Sequence, residues 1–480
     1  MSDLKRSTKK AIAWSALDKG GQQLLLLLVN VVITRNLDPD VFGLVAPLAL
    51  FTGFANILSE GGFSAALVRK TNATERDYNT MFWFNFGLGV AFYLLLYALS
   101  PWIAHYNGRP ELLQIARIQF LAVIFYSLGL IQSTRLVMRS DFRRLGMANV
   151  GSIILAGAGA FILLYNGYGV WAYVGMVMGQ AFFRMLLLWI LARWRPRLQY
   201  SWKSFREMFR FSSKLILGAL ANNISLNFYA SALGEYLQTW QVGSYERAHK
   251  IKETAAGFFN YIFGYSIYLM LSQLQDQPGR FLQAFRKSVR SVSFFLFPAM
   301  LGLGVMAKPF IEFVLTAEYL PSAPLLRILC FSGILYVLNY FYGNALKVRG
   351  RSDVTLGLEI VNAVLIVSFL FLTIRHGLEI ALMADIAARL IVFVCYAIAA
   401  SRLLDYRLGD QLRDLLPYAA LSLAMAALIW PLQYLIHSNL LLLIAQLGAG
   451  GLFYWGVNKL LGSKVLEEIH ETIRGRFNRS

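Results

Sequence analysis

Stretches of about 20 or more mostly apolar residues recur along the whole chain, separated by short polar or charged segments. That is the length a helix needs to cross a hydrocarbon layer of about 30 Å. The stretches lack the period-two alternation of membrane barrel strands. Helices also satisfy their own backbone in lipid. The pattern predicts an all-α polytopic membrane protein of about fourteen transmembrane helices. They cover 11–33, 41–62, 80–104, 113–137, 146–166, 168–192, 212–234, 246–273, 290–316, 323–346, 354–375, 377–401, 414–436 and 438–461. Twelve is the alternative if two segments only lie on the surface.

Charge sharpens this picture. The chain of 480 residues carries 45 Lys+Arg against 26 Asp+Glu, a formal +19, which on a polar chain would suggest nucleic acid. Here only 15% of residues are charged and 57% are hydrophobic, so no nucleic-acid partner is expected. With the N-terminus placed in the cytoplasm, 33 cations fall in alternate, inside segments. Four fall in outside turns (Arg35, Arg109, Arg247 and Arg375), and eight lie within spans. This positive-inside bias favours an even helix count with both termini cytoplasmic. The basic start is followed by an apolar run broken at Asp18-Lys19 with no A-x-A site, so the first helix is expected to be retained rather than cleaved. Cys330 and Cys395 fall within predicted spans and read as packing residues.

The longest inside loop, 193–211, contains Ser204-Phe205-Arg206-Glu207, a capping-box pattern. Trp202, Phe205 and Phe209 recur at helical spacing opposite Lys203, Arg206 and Arg210, which predicts a short amphipathic helix on the inner leaflet. Val465, Leu466, Ile469, Ile473 and Phe477 give the C-terminal tail a similar face. Phe42-Gly43, opening span 2, is matched by Val242-Gly243 opening span 8. Arg139-Ser140-Asp141 after span 4 is matched by Arg351-Ser352-Asp353 after span 10. Both matches pair helix n with helix n+6. Six is even, so the halves point the same way. The expected organisation is a six-helix lobe over 1–200, a second over 201–403, additional helices over 404–462, and a cytoplasmic tail over 463–480.

Enzyme signatures are missing. No G-x-x-x-x-G-K-[ST], H-E-x-x-H, C-x-x-C or G-x-S-x-G is present, and no metal or cofactor is expected. Asp38-Pro39-Asp40 resembles a metal-diphosphate D-x-D pair. Its outside loop is too short for an acceptor site, so it reads as a turn. The informative groups are ionisable or polar residues within spans, because an ion at a helix centre costs about 2.5–3.5 kcal/mol even on lenient scales. Asp385/Arg389 and Lys308/Glu312 have i,i+4 spacing and read as local pairs. Lys19, Gln22, Gln23, Arg184, Asn222, Asn223, Asn227, Lys250 and Lys252 read instead as the lining of a wet, cationic cavity for an anionic headgroup. Asp18, Glu60 and Glu253 are candidates for coupling to a proton or cation gradient.

These features resemble the polysaccharide transporter family of the multidrug/oligosaccharidyl-lipid/polysaccharide (MOP) flippase superfamily, and most of all its Wzx-type flippases of the colanic acid exporter group. The marks are Leu37 to Leu44 after span 1, Glu60 to Lys70, Met138 to Leu145, Gly169-Val170-Trp171-Ala172, and Val242 to Ala248. The resemblance implies two six-helix lobes in a V, with spans 1, 2, 7 and 8 lining a central cavity. It implies a transporter of the bacterial inner membrane, moving an undecaprenyl-diphosphate-linked oligosaccharide from the cytoplasmic to the periplasmic leaflet by alternating access. Its expected partners are that glycan, membrane lipids, and polysaccharide polymerase and assembly proteins. Alternatives are a drug or peptidoglycan-precursor exporter of the same superfamily, or a membrane glycosyltransferase or polymerase.

Overall fold

A computed structural model describes residues 22, 25–57, 67, 73–139, 141–463 and 465–467. Among the described residues, a helix occurs in every predicted span and no strand occurs. Ten helical segments among the described residues are long and apolar enough to cross a membrane. The protein is a multi-pass, all-α membrane protein. The four predicted spans outside that ten are the first, second, seventh and eighth.

The first of these is described as α1, Leu25–Arg35. The second is split into α2, Pro39–Val45, and α3, Leu48–Asn56, by Pro47. Asp38 is the extended N-cap of α2 and Pro39 is its first residue, so the Asp-Pro-Asp run is a helix start. Next come α4 (Glu75–Tyr106), α5 (Leu112–Gln119), α6 (Ala122–Met138), α7 (Phe142–Tyr165) and α8 (Val170–Ala192). Thr74 and Asp77 close a reciprocal capping box at the start of α4. Gly167 and Gly169 take positive φ in the turn that joins α7 to α8. Small residues let those two helices approach closely, with Gly179 against Ala156.

The seventh and eighth spans become α9, Trp202–Tyr236, and α10, Thr239–Gln273, each of 35 residues. At 1.5 Å per residue each is about 52 Å long. This corrects the sequence expectation of a separate interfacial helix. The Trp202/Phe205/Phe209 face is the first part of α9, because neither Gly nor Pro interrupts 202–217. The cap is Ser201, whose hydroxyl accepts from the Ser204 amide. Phe205 and Phe209 pack on Phe84 of α4.

The remaining helices are α11 (Pro278–Val305), α12 (Ala307–Val314), α13 (Ser322–Val348), α14 (Ser352–Thr373), α15 (Leu378–Leu403), α16 (Leu408–Ile429), α17 (Leu432–Leu435) and α18 (Asn439–Leu460). The helices of span 13 pack into the fold: α16 lies along α11, where Arg286 bonds Asp414 at 2.8 Å and Asp410 at 3.4 Å. Tyr454 of α18 donates to the Phe294 carbonyl, and Val465 and Leu466 join the same aromatic cluster. Ile469, Ile473 and Phe477 of the amphipathic tail lie outside the described residues.

The described residues pack as two units that divide between Gly243 and Ser244. In the first, α9 packs on α3 and α4. The repeat motifs sit at comparable turns. Asp141 caps α7 through the Arg144 amide, whereas Asp353 is the second residue of α14 and pairs with Arg351. The three-letter match is thus shifted by two residues along the helix start. The glycine match is closer: a Cβ added at Gly43 would run into the Thr239 carbonyl, and one at Gly243 into the Pro39 carbonyl. The two helix openings meet backbone to backbone.

Candidate functional site

Two polar assemblies lie on the long helices α9 and α10. In the first unit, Asn223, Asn227 and Ser231 recur every four residues on α9 and so share one face. Asn223 is buried, and its Nδ2 donates to the Leu50 carbonyl of α3 at 3.0 Å. Asn227 donates to Asn223 Oδ1 at 2.7 Å. The Ser231 hydroxyl donates to the Pro47 carbonyl and accepts from the Leu50 amide. These are backbone groups at the break that Pro47 makes between α2 and α3. Gly53 leaves the space that the Asn223 amide fills. Asn223 and Asn227 therefore form a helix seam. Asn222 lies about 100° round the helix and is exposed. Replacing Asn223 with leucine removes the side-chain donor at the Leu50 carbonyl and leaves the Asn227 amide without its acceptor, so a loss of about 1–3 kcal/mol in thermal stability is expected in detergent. An unchanged melting curve would show that the seam does not depend on these bonds.

In the second unit, α10 carries Lys250, Lys252 and Glu253. Lys252 is 2% exposed, and its stem packs where Gly333 of α13 has no side chain. The charges of Arg389, Asp385 and Glu253 act on it. Asp385 and Arg389 of α15 form the expected i,i+4 pair, with Nε to Oδ2 at 2.9 Å and Nε to Oδ1 at 3.1 Å. Ser332 of α13 donates to Asp385 Oδ2 at 2.7 Å. One carboxylate therefore sits among two buried cations and a hydroxyl. Such a cluster holds charge in low dielectric only while its geometry persists. Among the described residues, no ion pair joins Lys308 to Glu312.

Lys250 is exposed and bonds Glu253 at 2.9 Å. A lysine on a helix within a membrane would face protein or water rather than lipid. Arg184 donates to Asn149 between α8 and α7, rather than joining the asparagines of α9. Gln22 is helical with its Nε2 buried. Asp18, Lys19, Gln23 and Glu60 lie outside the described residues. Sequence reasoning missed Ser231 and Ser332. The i,i+4,i+8 recurrence on α9 could have found Ser231. Ser332 carries no local signal.

Two long helices carry polar groups, and ten other helices among the described residues are long and apolar enough to cross a membrane, as a membrane transporter requires. Comparisons agree. A family model described as polysaccharide biosynthesis protein matches residues 32–324, and the chain belongs to that family. It is 27% identical over 305 residues to the teichuronic acid biosynthesis protein TuaB of Bacillus subtilis, a match that spans 63% of each chain. It is 25% identical to the lipopolysaccharide biosynthesis protein WzxC of Escherichia coli, covering 73% of this chain and 72% of that one. With the succinoglycan biosynthesis transport protein ExoT of Rhizobium meliloti it shares 24% identity over 69% of this chain and 67% of that one. In fold it is similar to the lipid II flippase MurJ, with TM-score 0.78 and 15% identity, covering 94% of this chain and 98% of that one. A multidrug resistance MATE family transporter of the MOP superfamily also shares the fold, with TM-score 0.64 and 14% identity, covering 79% of this chain and 95% of that one.

Proposed function

We propose that the protein is a flippase that moves a lipid-linked oligosaccharide, on an undecaprenyl diphosphate carrier, from the inner to the outer leaflet of a bacterial inner membrane by alternating access. The supporting observation is the exposure of Lys250 and Asn222 on long helices that are not among the ten described helices apolar enough to cross a membrane. Lys250 draws the diphosphate as a point charge. Asn222, with Gln22, Gln23 and Lys19, offers hydrogen bonds to the sugar and phosphate. Asp18, Glu60 and Glu253 are the groups through which a proton or cation gradient couples, and Glu253 is already bonded to Lys250. Lys252, with Asp385 and Arg389, holds the helices together. Both termini are cytoplasmic, and polymerase and assembly proteins receive the flipped unit.

Lys250→Gln should lower polymer export about tenfold, the effect of one charge-assisted bond, at unchanged abundance in the membrane. Unchanged export would remove Lys250 from the path. Complementation of strains lacking defined flippases discriminates the cargo. Rescue only of peptidoglycan-precursor transport would replace this reading with the exporter alternative. Sugar transfer by the purified protein would replace it with an enzyme.

A further inference from the structure

The segment after α8 reads Arg193-Trp194-Arg195-Pro196-Arg197. Arg193 ends the helix in a left-handed conformation at φ 49°. Pro196 cannot continue a helix, and it holds Arg195 extended. In extended chain, successive side chains point to opposite sides. Trp194 turns inward, is buried, and donates to Glu75 Oε2 at 2.9 Å. Arg193, Arg195 and Arg197 are exposed. With Trp194 and Pro196 between them, they line an open cleft of about 840 Å3 that Glu75, Asn79, Trp189 and Ile190 complete.

Three guanidiniums meet one carboxylate in this cleft, and that carboxylate is already held by Arg135 at 2.6 and 2.8 Å. The cleft is therefore strongly cationic. From Ile190 its wall continues along α8 to Leu186, and both side chains are exposed. The chain then continues through exposed Leu198, Tyr200 and Trp202, the aromatic and apolar types that settle at a membrane interface. The cleft opens at the end of α8 and the start of α4 and α9, the side on which most of the chain's cations fall. A cationic cup opening onto an apolar, lipid-facing wall matches a phosphate head with acyl chains attached.

We infer that this cleft binds the phosphate head of an anionic phospholipid from the leaflet on the cation-rich face, with an acyl chain lying along Ile190 and Leu186. The site is separate from the transport path proposed above. Basic pockets beside spanning helices recognise such headgroups.

The full-length protein is reconstituted in nanodiscs that mix phosphatidylglycerol with phosphatidylcholine, and the retained lipid is read by native mass spectrometry. The R193Q/R195Q/R197Q variant should retain about tenfold less phosphatidylglycerol. R139Q/R143Q/R144Q, which removes the same charge nearby, should lose less than about twofold. If the first variant misfolds, R195Q alone should lose about threefold, with R195K retaining most of the binding. Equal losses from both triple variants, or none from the first, would overturn the site. Displacement of the lipid by inorganic pyrophosphate at equal concentration would also overturn it, by showing selectivity for a bare diphosphate.

Discussion

Asp385→Ala should remove about 3–5 kcal/mol of stability, because it leaves buried cations without their counter-ion. Arg389 is 4% exposed, and its Nε bonds both carboxylate oxygens. Lys252 is buried beside it, and the Ser332 hydroxyl would lose its acceptor. Thermal unfolding in detergent reads the loss. Asp385→Ala combined with Arg389→Leu should recover part of it, since the pair would then be replaced rather than broken. If the single variant melts within about 1 kcal/mol of the parent, water reaches this carboxylate and the cluster is not closed.

The second large effect falls on a glycine. Gly43→Ala puts a Cβ against the Thr239 carbonyl, and Gly243→Ala puts one against that of Pro39. Both obstacles are backbone, so neither can swing aside as a side chain would. Overpacking of this kind costs about 1–3 kcal/mol where the core can adjust, and here the upper end is expected. Gly87→Ala is the contrast. Nothing lies within 4 Å of a Cβ there, and α4 continues through it, so a gain of about 0.5–1 kcal/mol should follow. Equal melting temperatures for Gly43→Ala and Gly87→Ala would mean that α2 can shift freely against α10.

The two glycines also show how far a sequence can be read. Phe42-Gly43 and Val242-Gly243 were legible as equivalent helix openings, but not as partners, because contact between residues 200 positions apart has no local signal. Helix ends follow the same logic. Apolar content marks 212–234 as the span, yet α9 starts at Trp202, ten residues before it, because hydrogen bonding continues wherever no breaker intervenes. The Asp385/Arg389 pair could be read from its spacing. The three asparagines of α9 could not be sorted until α3 was in place: Asn223 and Asn227 face the break at Pro47, while Asn222 faces away.

The arginine segment between α8 and α9 looks like a linker in sequence, but its backbone is fastened at several points. Asn79 accepts from the Arg197 amide at 2.7 Å, and Trp83 donates to the Arg197 carbonyl at 2.9 Å. Arg76 reaches the Tyr200 carbonyl, and Thr80 accepts from the Ser201 amide. Ordering a free chain costs about 1–2 kcal/mol per residue. Here that loss has already occurred during folding. An arriving headgroup meets a preorganised row of charges, so little of its binding energy is consumed in arranging the backbone of the receptor.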